Sequence, residues 1–337
     1  MTANRCYRTP AHPMTLPDPT LALLSGDALD HPTLLEAARG YVEAAKAPNT
    51  RRAYQTQWKT FAAWCAQFGR ESLPAAPATL ALFLTARAQA GLKVASLGLG
   101  LSAIRAVHFD ASFPDPSANP EVRTVWEGIR RTHGAAPRGA APLTADAIRS
   151  IVAALSKVEK RDLRDRALVL VGFGGAFRRS ELVALDVDDL TVDPARGVLV
   201  RVQRSKTDQL GAGADVALPF GSHADVCPVR ALEAWRAASG VEDGALFRSI
   251  DRHGRVGGRL DGRDVARILK GLADRAGIAS ALVSGHSLRA GLATTAALAG
   301  RSDRAIMLQG RWKSRTMVDR YVRTADAWRE NAASGLL

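Results

Sequence analysis

The stretch GAAPRGAAP, residues 134–142, constrains this chain more than any other feature. It has no apolar period, and its glycines and prolines read as a linker. At 337 residues the chain is too long for one compact core of typical size. The linker divides it into two parts that are patterned differently. Residues 31–133 read as helices alone, whereas residues 143–337 mix helices with two short alternating runs. Residues 1–30, rich in Pro, Thr and small side chains, read as a flexible N-terminal tail.

In the first part a helical run covers about Pro32 to Lys46. Asn49 is placed to cap the next helix, in which Tyr54, Trp58, Phe61, Cys65 and Phe68 recur every three or four residues. Arg51, Arg52, Gln55 and Lys59 fall outside that stripe. PATLALFLTARAQAG, VASLGLGLSAIRAVHF and NPEVRTVWEGIRRTHG supply three more helices, the last ending in Arg130 and Arg131. The second part opens at Leu143 with Thr144 as an N-cap, and RDLRDRALVLVGFGGAF reads as a largely buried helix. RGVLVRVQR and ADVALPF alternate as strands joined by SKTDQLGAG, a hairpin with a loose turn. Helices are then expected over 227–238, 262–277, 286–298, 302–308, 314–322 and 325–334. No internal repeat is present.

Composition narrows the function. The formal charge of +13 points to a polyanionic partner. Both parts are basic, and no amphipathic basic helix with an exposed apolar face stands out, so nucleic acid is favoured over a membrane surface. No run approaches the length of an apolar membrane span, and no signal peptide is evident. Cys6, Cys65 and Cys227 are an odd number without metal-ligand spacing, which suits a reduced, cytoplasmic chain.

Several segments carry groups that could do chemistry. GRWKSRTMVDRYVRT, residues 310–324, sets Tyr321 among Arg311, Lys313, Arg315, Arg320 and Arg323. Its phenol, with an ordinary pKa near 10, stands where phosphates would gather. Met317, Val318, Tyr321 and Val322 also share a helical face, so a core role for the tyrosine stands beside a chemical one. AFRRSEL places Arg178 one helical turn before Glu181, an arrangement that also suits a plain ion pair. GFGG just upstream lacks the spacing and setting of a nucleotide loop. SGHSLRAG places His286 and Arg289 on one face near a helix N-terminus, an end that favours anions, and no second histidine one turn away suggests zinc. Lys206, one of only eight lysines, sits at the hairpin tip and could give up a proton where arginine could not. Together these groups suit attack on a phosphodiester, with positive side chains carrying the charge stabilisation. Clustered carboxylates for two metal ions are missing near them.

The order Arg178, Lys206, His286-x-x-Arg289, Trp312, Tyr321 resembles the tyrosine recombinase (phage integrase) family, from about residue 31 onward. Trp312 stands where many members carry a histidine nine residues before the tyrosine, and with the helical N-terminal domain it is similar to the Cre-like branch. The indole can donate one hydrogen bond but cannot titrate. The resemblance implies a mainly α fold with a small β-hairpin or sheet in the catalytic domain. It also implies a two-domain, C-shaped DNA clamp. Residues 31–133 would be a helical, SAM-like core-binding domain, and residues 143–337 the catalytic domain with a C-terminal exchange helix. No arm-binding domain is expected before residue 31.

It further implies that Tyr321 is the nucleophile, that Arg178 and Arg289 grip the scissile phosphate, and that Glu181, His286 and Trp312 support them. Lys206 would be the general acid for the leaving 5′-hydroxyl, and no metal or cofactor is required. The implied function is site-specific recombination of double-stranded DNA through a 3′-phosphotyrosyl bond. A monomer or dimer in solution would form a homotetramer on two sites in a bacterial or phage setting at the nucleoid. Expected DNA contacts are Arg51, Arg52, Gln55, Lys59, Ser102, Arg105, Arg130, Arg131 and Arg263, the last resembling a guanine-reading position. The same chemistry would serve a type IB topoisomerase or telomere resolvase, and an inactive DNA-binding relative is the non-enzymatic alternative.

Overall fold

The computed structural model describes residues 32–134, 140–203, 213–319 and 321. Their contacts divide the chain into two compact units, one up to residue 137 and one from residue 138. The tail 1–30, most of the linker, the hairpin tip with Lys206, and the segment after Tyr321 lie outside the described residues.

The first unit is α1 (Pro32–Ala45), α2 (Pro48–Gln67), α3 (Pro77–Gln89), α4 (Val94–Asp110) and α5 (Pro120–His133), with no strand among its described residues. Four of these, all but α4, begin with proline, whose missing N–H removes no helical hydrogen bond there. The expected cap on α2 is corrected: the helix starts at Pro48 with Ala47 as N-cap, so Asn49 lies inside the first turn. At α5 the side chain of Asn119 does cap, accepting from the Glu121 N–H at 2.8 Å. Trp58, Phe61 and Cys65 of α2 are buried with Leu80, Phe83 and Leu84 of α3, Leu97, Ile104 and Val107 of α4, and Val122 and Ile129 of α5. Phe61 and Phe83 meet edge to face, their ring centroids 5.0 Å apart. Phe68 departs from the expected stripe: it lies past the helix end, exposed, against the Trp64 ring.

The second unit begins with α6 (Ala145–Ala153), α7 (Lys160–Gly174) and the short α8 (Arg179–Ala184). Strands β1 (Leu190–Asp193), β2 (Gly197–Val202) and β3 (Ala214–Pro219) form one antiparallel sheet in the order β1-β2-β3. Val200 pairs with both Leu190 and Val216. Val198, Val200 and Val202 face the core while Leu199 and Arg201 face out, the alternation that made the hairpin readable. Strand β1 was not expected. It has four residues and none is fully buried, too little pattern to register.

After the sheet come α9 (Pro228–Ser239), the paired strands β4 (Arg248–Ile250) and β5 (Val256–Arg259), then α10 (Gly262–Arg275), α11 (Ser287–Leu298) and α12 (Asp303–Gly310). The β4–β5 pair, three and four residues long, also escaped the sequence pattern. The chain is helical again at 316–319 and 321. Helix α7 runs through the middle, with Ala167, Leu168, Val169, Leu170 and Val171 all buried. Leu143 crosses α11 closely: its N–H bonds the Ser287 carbonyl at 3.0 Å, and a Cβ at Gly291 would lie 1.9 Å from the Leu143 carbonyl oxygen. Only glycine fits there.

Candidate active site

Three segments of the second unit converge: the turn after α7, the start of α11, and the chain after α12. The first turn contains Ala176, a non-glycine residue at φ 46°, and delivers Phe177 to the core and Arg178 to the N-cap of α8. Glu181 folds back on that cap. Its Oε2 accepts from the Arg178 N–H at 2.9 Å and its Oε1 from the Arg178 guanidinium. Glu181 thus makes its half of a capping box, while arginine in the cap position, a donor only, accepts no bond from the backbone in return. The one-turn spacing of Arg178 and Glu181 read from the sequence is therefore a direct ion pair, with the Glu181 side chain only 1% exposed.

His286 and Arg289 lie at the N-terminal end of α11, His286 as its N-cap residue. His286 Nε2 is 2.9 Å from the Tyr321 hydroxyl. Arg289 is fully buried. One nitrogen donates to the Ala176 carbonyl at 2.7 Å, and its guanidinium lies 4.0 Å from the centre of the Trp312 ring. Its other terminal nitrogen, Nη2, is buried without a hydrogen-bond partner among the described residues. Burial, with Arg178 and Arg311 nearby, pulls its pKa down to about 9. A buried guanidinium N–H of this kind is chemically suited to a charge-assisted hydrogen bond with an anionic oxygen.

Tyr321 combines a core position with a polar contact. Its ring is buried in an apolar cluster with Ala176, Ala290, Ala293, Ala297, Ile306, Trp312 and Val318, while its hydroxyl meets His286. The alanines along α11 leave room for the two large rings, whose centroids are 6.0 Å apart. Met317, expected on the same face, is exposed instead. Trp312 folds over Gly310, where a Cβ would come within 1.8 Å of the indole.

One participant was not singled out by sequence reasoning. Arg311 lies in the left-handed region at φ 56° and is buried beside Glu181, its Nη2 2.8 Å from Oε2. It also donates to the carbonyls of Gly175 and Gln309, both at 3.0 Å, and stacks over the Phe177 ring. Burial alone would raise the Glu181 pKa; Arg311 first, then the backbone and side chain of Arg178, outweigh it and hold the carboxyl below its ordinary value. Among five basic residues in the stretch 310–324, nothing in the sequence distinguished Arg311 from its neighbours.

Of the expected catalytic residues, Arg178, Glu181, His286, Arg289, Trp312 and Tyr321 come together, and Lys206 lies outside the described residues. Of the expected DNA-contacting side chains, all but Arg263 belong to the first unit. Arg52, Gln55, Lys59, Ser102, Arg105, Arg130, Arg131 and Arg263 are exposed, and Arg51 is half-buried. Ser102 and Arg105 line a groove with Lys46, Tyr54 and Phe109, and Arg105 lies 3.3 Å from Asp115. Arg263, 90% exposed at the start of α10, makes a 3.3 Å contact with Asp261. Among the described residues no group of His, Cys, Asp or Glu side chains could hold a metal ion, and no helix is long and apolar enough to cross a membrane.

Comparison with known proteins gives the same picture. Residues 142–327 match the model of the phage integrase family, and residues 40–110 match the phage integrase N-terminal SAM-like domain. The chain is 36% identical over 299 residues to an integrase/recombinase XerD homolog of Selenomonas ruminantium, covering 88% of this chain and 87% of the relative. It is 26% identical over 289 residues to the recombinase Cre of Escherichia phage P1, covering 80% and 82%. Among solved structures it is similar in fold to a lambda integrase dimer bound to a COC′ core site, with a TM-score of 0.57, 19% identity, and 86% and 93% of the two chains covered. XerH site-specific recombinase bound to a palindromic difH substrate also has a TM-score of 0.57, at 18% identity and with 77% and 72% covered.

Proposed function

This chain belongs to the phage integrase family, the tyrosine recombinases, and from that premise we propose that it is a site-specific DNA recombinase. The observation that carries the reading is the 2.9 Å hydrogen bond between Tyr321 and His286, in the same cluster as the buried Arg289 Nη2 that has no partner among the described residues. A phosphate held by Arg178 and Arg289 would present phosphorus to the Tyr321 hydroxyl. As the phenol oxygen bonds to phosphorus, its proton passes to His286 Nε2 and the bond to the 5′-oxygen breaks. That oxygen takes a proton from Lys206 and leaves as a hydroxyl, while the 3′ end stays on the tyrosine. A 5′-hydroxyl from a partner strand reverses the step. Because the phosphodiester energy is kept in the tyrosyl bond, neither ATP nor a metal is needed. The guanidiniums supply the charge stabilisation.

The first unit would be the core-binding domain, with the linker at 134–142 letting both domains hold one DNA site. Exchange between two sites would take four protomers. A monomer or dimer in solution and a cytoplasmic, nucleoid-associated location follow from the same reading. A duplex carrying a nick close to the scissile phosphate tests it, because the short product diffuses away and traps the covalent complex. A stable protein–DNA adduct is expected, and its absence on the cognate site would leave a DNA-binding protein without catalysis. Deletion or inversion on a two-site plasmid separates recombination from a topoisomerase or telomere resolvase activity.

A further inference from the structure

Arg311 has no part in the chemistry just described, yet its guanidinium is bonded to several groups beside it. Its guanidinium is 10% exposed and bonds Glu181, the carbonyl of Gly175 and that of Gln309. It is held at φ 56°, a backbone conformation that a side chain adopts at a cost and that persists where the surroundings impose it. We propose that Arg311 is a positioning residue, the resident counter-charge of Glu181, which keeps that carboxylate ionised and in place when Arg178 engages the scissile phosphate. The inference rests on the recombinase reading and assigns a role that reading leaves open.

Glu181 has two oxygens and two arginine partners. Oε1 faces the Arg178 guanidinium, while Oε2 is shared between the Arg178 backbone N–H and Arg311. An incoming phosphate draws the Arg178 side chain toward itself and loosens one of these pairs. If Arg178 were the only counter-charge, that loosening would leave a carboxylate buried among apolar groups without compensation, a costly state. Glu181 would then either pull Arg178 back from the phosphate or take up a proton. With Arg311 fixed on Oε2 neither is forced, so Arg178 can serve the phosphate while its backbone stays anchored. Arg311 also ties the chain after α12, which leads to Trp312 and Tyr321, to the turn carrying Ala176 and Arg178. Among the described residues the charged groups around Glu181 are Arg178 at the start of α8, Arg311 after α12, and Arg289 on α11.

The test is single-turnover cleavage of the nicked duplex between pH 5.5 and 8.5, with melting temperatures, for the unaltered protein, Arg311→Lys, Arg311→Met, Glu181→Gln and the double variant Glu181→Gln/Arg311→Met. Arg311→Met is expected to slow cleavage by about 10- to 100-fold, the usual loss when a residue that orients a site is removed. It should also gain an acid limb at higher pH than the unaltered protein, because Glu181 has lost its main stabilising charge. Arg311→Lys, which keeps a cation, should recover most of the rate and the original profile. In the Glu181→Gln background, removing Arg311 should cost no further rate. An unchanged pH profile in Arg311→Met, or an equal fold-loss in both backgrounds, overturns the proposal. If Arg311→Met does not fold, Glu181→Gln against the double variant decides: equal rates uphold the coupling and a further loss refutes it. Failure of the unaltered protein to form an adduct is the separate outcome that removes the recombinase reading and the inference with it.

Discussion

The Tyr321 hydroxyl and His286 Nε2 are 2.9 Å apart across 35 positions of chain. The contact requires α11 to present its N-terminal end to the segment after α12. It places an imidazole nitrogen within hydrogen-bond reach of the phenol oxygen, the distance that proton transfer between them would need.

Replacing Tyr321 with phenylalanine removes that oxygen and leaves the buried ring in its alanine-lined cluster. The melting temperature and site binding should change little, while the covalent adduct disappears. Denaturing gel analysis of the nicked-duplex reaction checks this. Any remaining adduct would move the nucleophile to another residue.

Lys206→Ala should slow cleavage by about 10²- to 10⁴-fold, the range of general acid catalysis. A substrate with sulfur in place of the bridging 5′-oxygen leaves without a proton and should recover most of the loss. Equal slowing on both substrates would make Lys206 a phosphate contact only.

Cleavage should persist in EDTA, since the reading assigns charge stabilisation to Arg178 and Arg289. Site binding should weaken by orders of magnitude between about 50 and 200 mM salt as counterion release loses its advantage. A strict magnesium requirement for adduct formation would contradict the mechanism.

Arg263→Ala should relax preference at one base position by about 1–3 kcal/mol, the value of a guanine contact in the major groove. Binding measured over a set of single-base variants of the site distinguishes this from a uniform loss, which would mark a phosphate contact.

Asp162 links α7 to the end of α10. It accepts from both terminal nitrogens of Arg275 at 2.8 and 2.9 Å and from the Ser156 N–H at 2.8 Å. The bond with Arg275 leads in holding its pKa below the ordinary 3.8, against a burial cost. A carboxyl depressed on folding contributes stability that is complete above its unfolded value and is lost as pH falls through the lower folded value. Melting temperature should therefore fall as pH drops below about 4. Asp162→Asn should lower it by a few degrees at neutral pH and flatten that acid limb. An unaltered limb would assign the acid sensitivity to other carboxyls.

What could be read before the structure follows from how each feature is encoded. Trp58, Phe61 and Cys65 announce α2 because a buried face repeats along one helix, and Val198, Val200 and Val202 do the same for a strand. The motifs around Arg178, His286, Arg289 and Tyr321 were legible because each is a short string. Strands β1, β4 and β5 were not, since their pairing is set by distant partners and their three or four residues hold no period. Arg311 escaped for a related reason. Its role depends on a backbone angle and on a carboxylate 130 positions away, and neither leaves a trace in local spacing.

Gln309 sits one residue before Gly310, the end of α12, and its amide nitrogen donates to two carbonyls at once, Gly174 at the end of α7 at 2.7 Å and Ala217 in β3 at 3.0 Å. Strand β3 leads directly out of the segment that holds Lys206, and α12 leads directly into Trp312 and Tyr321. One amide thus ties the strand that follows Lys206 in sequence to the segment that carries Tyr321, and both to the end of α7 just before Arg178. A sideways slip of β3 by an ångström would stretch that tie beyond bonding distance or drag the Tyr321 segment along, so under the proposed mechanism the acid and the nucleophile would move together.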